Sequence, residues 1–243
     1  KFDRVLAAAA TLPKARRRVA KDLAATGMPR ERATALAVRL LDLGYFRIGS
    51  DAYTDANGSF GLTTLERQHA RKTKDGIVFT FVGKSGIEHS ITIDDAEAIA
   101  ALDRMRARRG RGKRLLAYQD DKDWVDVDAA AVNAYLSAIL GGELTAKDFR
   151  TWHATVLAAA ALAATDEPGD TKASKRRAVK AAVEEVAGYL GNTPTIAKGS
   201  YIDPRVLDLY EGGTTIVTPR MTARTSPARR QALLEAAVLE LLG

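Results

Sequence analysis

The chain has 243 residues, 46% of them hydrophobic and 28% charged, with a net charge of +7 and a pI near 9.6. That length can bury a sizeable core, and the basic balance favours a polyanionic partner over a small-molecule substrate. The absence of cysteine excludes a disulfide framework, a thiolate nucleophile and a cysteine zinc site, which fits a cytoplasmic setting, and the longest apolar run, Val156 to Ala164, is too short to span a bilayer.

Helical periodicity predicts two helices over 3–25 and 30–44, separated by "TGMP", with Pro29 suited to a first turn. From about residue 60 the pattern changes. "GIVFTFVG" and "IEHSITID" alternate β-branched and aromatic residues, "KTKDG" and "GKSG" punctuate them as turns, and with "ERQHARKT" they predict a small antiparallel sheet of three strands. Lys84 then lies at the tip of a hairpin. Helices return over 94–108, where Asp94 and Asp95 suit an N-cap, and "RRGRGKR" follows as a flexible basic loop. Further helices are expected over 128–140, with Asp128 as cap and Gly141–Gly142 as stop, and over 145–164, where "TAKD" resembles a capping box. The pattern continues over 172–190, ending at Gly191, and over 227–241 after Ser226 and Pro227. The segment "GNTPTIAKGSYIDP" is polar and weakly patterned, and its "AKGS" allows a mobile stretch that orders on binding. The expected class is mainly α with a small antiparallel β insertion (α+β), in one domain over 1–243.

Three basic clusters, "KARRRVAK", "RMRARRGRGKR" and "KASKRRAVK", are spread along the chain, a distribution that favours nucleic acid. The histidines His69, His89 and His153 are scattered and lack metal-ligand spacing. "VGKS" is not a phosphate-binding loop, because Val78 stands where the first glycine is required and the lysine lies between strands. The pairs Asp94–Asp95 and Glu184–Glu185 read as a helix start and a solvated face. What remains is a set of cations and one phenol. Arg47 in "YFRIGS" follows a helix end, Lys84 sits in "FVGKSG", Lys147 and Arg150 share one face in "LTAKDFRTWHA", and Tyr201 ends "GNTPTIAKGSY".

Together these segments resemble the type IB DNA topoisomerases, especially the compact poxvirus and bacterial enzymes. "FRIGSDAY", "FGLTTLERQH", "FVGKSGIEH", "LTAKDFRTWHA" and "GNTPTIAKGSYIDPRV" occur in the family's order, from about residue 1 to 210. The resemblance implies the tyrosine recombinase/type IB topoisomerase catalytic-domain fold and relaxation of supercoiled double-stranded DNA without ATP, metal or other cofactor. It assigns Tyr201 as the nucleophile that forms a 3′-phosphotyrosyl link, and Arg47 and Arg150 as donors to the non-bridging oxygens. Lys84 becomes the general acid for the leaving 5′-oxygen, Lys147 a helix lysine beside the second arginine, and Tyr53 a DNA contact. It also implies a soluble monomer, bacterial and on the nucleoid, acting with a β-rich N-terminal clamp domain that lies outside this chain.

The chain departs from the viral pattern in three places. Asn192 stands where viral members carry histidine, so it can supply a neutral hydrogen bond but neither charge nor a proton. Ser50 and Ala52 stand where they carry lysines, so strict viral-type cleavage specificity is not expected. Two other readings compete. A tyrosine recombinase places histidine at the position of Lys147, and a non-catalytic DNA-binding module leaves Arg47, Lys84, Arg150 and Tyr201 without a reason.

Overall fold

The computed structural model describes residues 1–110, 112–142, 144–165 and 171–243. Arg111 of the basic loop lies outside them. The chain divides into two compact units: a central unit, Thr11–Phe149, and a terminal unit built from Lys1–Ala10 and Arg150–Gly243.

The helix expected over 3–25 is two helices, α1 (Phe2–Ala9) and α2 (Leu12–Leu23). Pro13 explains the break. Its ring would meet the carbonyl of Ala9 in a continuous helix, so the chain restarts with the proline in a first turn. The centre of the central unit is α3 (Arg30–Gly44), in which Ala33, Ala35, Leu36, Ala37, Leu40 and Leu41 are all fully buried. A helix apolar on nearly every side must be surrounded, and α3 is. It packs against α2, against α5 (Ala96–Ala107) and α6 (Ala129–Leu140), and against strands of both sheets. The buried carboxylate of Asp42 near its end is held by the Arg16 fork from α2 at 2.8 and 2.9 Å, which offsets the cost of removing that charge from water.

After α4 (Asp51–Asn57), strands β1 (Ala70–Thr73), β2 (Gly76–Val82) and β3 (Glu88–Ile93) form the antiparallel sheet read from the sequence, in the order β1-β2-β3. Ile77, Phe79 and Phe81 of β2 face the core while Thr80 and Val82 are exposed, the period-2 alternation of a half-buried strand. Gly76 is required where it stands: at φ 125 it faces the Ile93 carbonyl, which an added Cβ would approach to 2.2 Å. "ERQH" contributes a 3₁₀ turn, Arg67–His69, and not strand. A second sheet, β4 (Ala117–Asp120) with β5 (Asp123–Asp126), was not expected. Its turn, with Asp121 at φ 50, is written in charged residues that hide the strand pattern.

In the terminal unit, α7 (Ala146–Ala163) continues from the central unit, its "TAKD" start capped by Asp148, which accepts from the Thr145 N–H and hydroxyl at 2.9 and 3.0 Å. Next comes α8 (Lys172–Leu190), with boundaries as expected. The weakly patterned stretch after it is helical: α9 (Pro194–Ser200) and α10 (Pro204–Glu211) both pack against α8. The "AKGS" expected to be mobile forms the last turn of α9. Finally α11 (Pro227–Leu242) packs against α1. Among the described residues no helix is long and apolar enough to cross a membrane.

One side chain of the central unit ties stability to pH. The His69 ring meets Phe60 edge-on at 4.4 Å, and its Nδ1 accepts the Glu66 backbone N–H at 2.9 Å, so the fold selects the neutral ring. Burial pushes His69 below the usual imidazole range, against a weaker upward pull from the Glu66 carboxylate. The unfolded chain therefore binds the proton first as pH falls. The stability contributed by neutral His69 is complete above about pH 6.5 and is lost as pH drops through the folded value. Thermal melts from pH 7 to pH 5 should show a falling Tm, and His69→Asn, which keeps an acceptor but cannot protonate, should flatten that slope. An unchanged slope in the variant would contradict the assignment.

Candidate active site

In the central unit, Arg47 lies in the segment between α3 and α4, just after Tyr45 turns the chain with φ 54. Its neighbour Phe46, only 1% exposed, packs on Phe79 (5.2 Å, edge-on) and Phe81 (5.9 Å, stacked), which anchors the backbone from which Arg47 projects. The other side of the segment is held by the turn that follows α4. Leu62 N–H donates to the Arg47 carbonyl at 2.8 Å, and the Thr63 N–H and hydroxyl donate to the Ile48 carbonyl at 2.8 and 3.0 Å. The two backbones approach so closely at Gly49 and Gly61 that a Cβ on Gly61 would stand 2.5 Å from Gly49. Glycine is dictated at that crossing.

Lys84 is exposed and opens the turn between β2 and β3, at the hairpin tip read from the sequence. Ser85 and Gly86 carry the reversal at φ 65 and 74, and Gly83 N–H closes it by donating to the Ile87 carbonyl at 2.7 Å. The base of the hairpin is fixed by His89, stacked on Phe81 at 5.1 Å. Phe60 N–H donates to the Val82 carbonyl at 2.8 Å. The strip Phe60–Thr63 thus positions both the Arg47 segment and the hairpin that carries Lys84. Lys147 is exposed on the first turn of α7. Tyr53 belongs to α4, but its side chain lies outside the described residues.

The terminal unit brings Arg150, Tyr201 and the Asn192 segment together. Arg150 is 4% exposed. Its Nη2 donates to the Leu190 carbonyl at 2.7 Å, and its guanidinium stands 5.4 Å from the centre of the Tyr201 ring. Leu190 ends α8, where carbonyls lack intrahelical partners and the helix dipole is negative, so a cation is well placed there. Gly191 at φ 59 closes the helix, with Asn192 N–H returning to the Ala187 carbonyl at 2.9 Å, and the side-chain amide nitrogen of Asn192 is buried. Asn192 therefore sits two residues beyond the carbonyl that Arg150 grips.

Tyr201 is the C-cap of α9 and only 7% exposed. Its N–H donates to the Ala197 carbonyl at 3.0 Å, as does that of Ile202. Two contributors had no signal in the sequence. The hydroxyl of Thr155, one turn beyond Arg150 on α7, donates to the Thr151 carbonyl at 2.9 Å and accepts the Asp203 N–H at 3.0 Å, pinning the backbone just after the tyrosine. Lys1 donates to the Ser200 carbonyl, and its ammonium lies 5.8 Å from the Tyr201 ring centre. Arg205 then ties Asp203 (2.7 Å) to Asp3 of α1 (3.0 Å).

Over residues 1–211 the sequence matches the family described as eukaryotic DNA topoisomerase I, catalytic core. DNA topoisomerase 1B of Acanthamoeba polyphaga mimivirus is 26% identical over 218 residues, covering 87% of this chain and 64% of the viral protein. DNA topoisomerase I of monkeypox virus is 22% identical over 169 residues, or 69% of this chain and 50% of that protein. DNA topoisomerase 1B of vaccinia virus (strain Copenhagen) matches to the same extent. The chain thus spans about two thirds to one half of the length of these relatives. They are viral, and they lend no support to the bacterial setting expected from the sequence.

Thr155→Val should test how the tyrosine is held. The substitution leaves the buried Asp203 N–H without its acceptor, at a cost of about 1–3 kcal/mol of stability. Amide exchange at Asp203 should accelerate, and Thr155→Ser should restore most of both. Wild-type exchange in Thr155→Val would show that the hydroxyl does not hold this turn.

Proposed function

The chain belongs to the eukaryotic DNA topoisomerase I catalytic-core family, and on that premise we propose that it is the strand-cleaving part of a type IB enzyme that relaxes supercoiled double-stranded DNA. The observation that carries this reading is the buried pairing of Arg150 with Tyr201, a guanidinium 5.4 Å from the ring of the matching tyrosine. In the proposed reaction the Tyr201 hydroxyl attacks a backbone phosphorus and loses its proton to water, from which Lys84 is later reprotonated. The P–O5′ bond breaks, leaving a 3′-phosphotyrosyl link and a free 5′-hydroxyl. Religation reverses these steps. Bond energy is conserved in the covalent link, so no ATP is needed.

A phenol with an ordinary pKa of about 10 is a weak nucleophile at neutral pH, so the site must stabilise the charge that develops on phosphorus. Arg47 and Arg150 are proposed to take the two non-bridging oxygens, a task suited to a planar fork that stays charged. Asn192 adds a neutral donor. The exposed Lys84 hands a proton to the leaving 5′-oxygen, which would otherwise depart as an alkoxide. Lys147, exposed three residues before Arg150, is proposed as a further catalytic cation beside the second arginine. Affinity should fall steeply with salt as the basic chain displaces counterions.

A suicide DNA substrate incubated with the protein in EDTA and stopped with SDS should yield a covalent adduct on the 3′ side of the break. Tyr201→Phe should abolish the adduct. Arg150→Ala should slow cleavage by about 10²–10³, the effect of removing one preorganised donor. An adduct that survives Tyr201→Phe would overturn the site, and strand exchange between two sites without relaxation would point to recombination instead.

A further inference from the structure

We propose that Arg114 is a positioning residue for Arg47. The inference rests on the reading that Arg47 serves the cleaved phosphate, but the contacts behind it do not. Arg114 closes the basic segment after α5, which the sequence presents as a solvated loop for DNA. Its guanidinium instead makes two contacts within the fold: Nη1 donates to the Thr63 carbonyl at 3.2 Å, and Nη2 pairs with the exposed Asp51 in the first turn of α4. Thr63 is the residue whose N–H and hydroxyl hold the Ile48 carbonyl, beside Arg47. One side chain therefore brackets the segment from Arg47 to Asp51, gripping its support on one side and its exit on the other.

Arg114 is itself held in place. Its backbone bridges Glu66, with Arg67 N–H donating to the Lys113 carbonyl at 2.9 Å and Leu115 N–H to the Leu65 carbonyl at 2.8 Å. From behind, the buried Arg108 donates to the carbonyls of Met105 (2.8 Å), Leu115 (3.0 Å) and Arg114. Arg67 fastens the same segment through the carbonyls of Arg108 (2.9 Å) and Gly110 (3.1 Å). Phe46 anchors the segment from the core side, whereas on the side of Arg114 a cleft of about 250 Å³, whose lining includes Ser50, Asp51, Thr63, Arg114, Val127 and Ala130, lies beside it. The ion pair with Asp51 is largely exposed and adds little to stability, so its consequence is geometric.

Single-turnover cleavage at saturating DNA should slow about tenfold in Arg114→Ala, less than the ~10²-fold that a misplacement of 1 Å can cost. Melting temperature should change little. In an Arg47→Ala background the same substitution should cost under about twofold, because the two residues act through one contact. Asp51→Asn, which spares the Thr63 contact, should fall between wild type and Arg114→Ala. Hydrogen exchange at the Leu62 and Thr63 amides should accelerate in Arg114→Ala without DNA. That last readout separates the two claims: wild-type protein that fails to cleave DNA defeats the functional reading, while exchange still decides the positioning. Unchanged exchange, or a loss that multiplies in full on Arg47→Ala, would overturn the role of Arg114.

Discussion

Arg150 places a permanent charge where almost no water reaches, and the terminal unit is arranged around that fact. A buried guanidinium is costly unless acceptors and polarisable surface surround it. Here one acceptor is the Leu190 carbonyl at the negative end of α8, and the surface includes the face of Tyr201. The length of α8, its glycine stop at Gly191 and the return of Asn192 onto Ala187 all serve to put that carbonyl within reach. Thr155, on the same helix as Arg150, fixes the backbone that follows the tyrosine. The cation and the phenol are thus located by one helix, α7, acting through its own side chains on two separate turns.

The central unit solves a different problem, that of presenting cations at the ends of irregular segments. Loops place side chains loosely unless their backbones are over-determined. The strip Phe60–Thr63 meets this need with backbone hydrogen bonds to Arg47, Ile48 and Val82, and with a glycine-on-glycine crossing that admits no side chain. Phe46 and His89, both packed on Phe81, stiffen the two segments from the core side. Two of the cations in "RMRARRGRGKR" are used within the fold: Arg108 and Arg114 donate to backbone carbonyls, while Arg104, Arg109 and Lys113 remain exposed.

The long apolar-periodic helices, the three-stranded sheet and the Lys84 hairpin were legible because each buries a face and so imposes a period on the sequence. The shorter elements were not, since α4, α9 and α10 have only seven or eight residues and bury few of them. A local signal for two of these was present. Thr193–Pro194 and Asp203–Pro204 each join a capping side chain to a proline at the first helical position, the same signature that Ser226–Pro227 gave for α11. The candidate catalytic residues were named from the order of the motifs that carry them, since a helix-end arginine, a hairpin lysine or a lone tyrosine has no distinguishing pattern by itself. Thr155 and Arg114 were not readable, because both act on backbone groups distant in sequence and leave no motif.

The central claim is that the Tyr201 oxygen and the guanidiniums of Arg47 and Arg150 converge on one phosphorus. A crystal structure of the chain with nicked DNA and vanadate would test it most directly, because vanadate takes the five-coordinate geometry of the reacting phosphate. The account predicts the Tyr201 oxygen at one apex, Arg47 and Arg150 within hydrogen-bond distance of the equatorial oxygens, and Lys84 beside the 5′-oxygen at the other apex. A different residue at the first apex, or Arg150 remote from the vanadate oxygens, would contradict it.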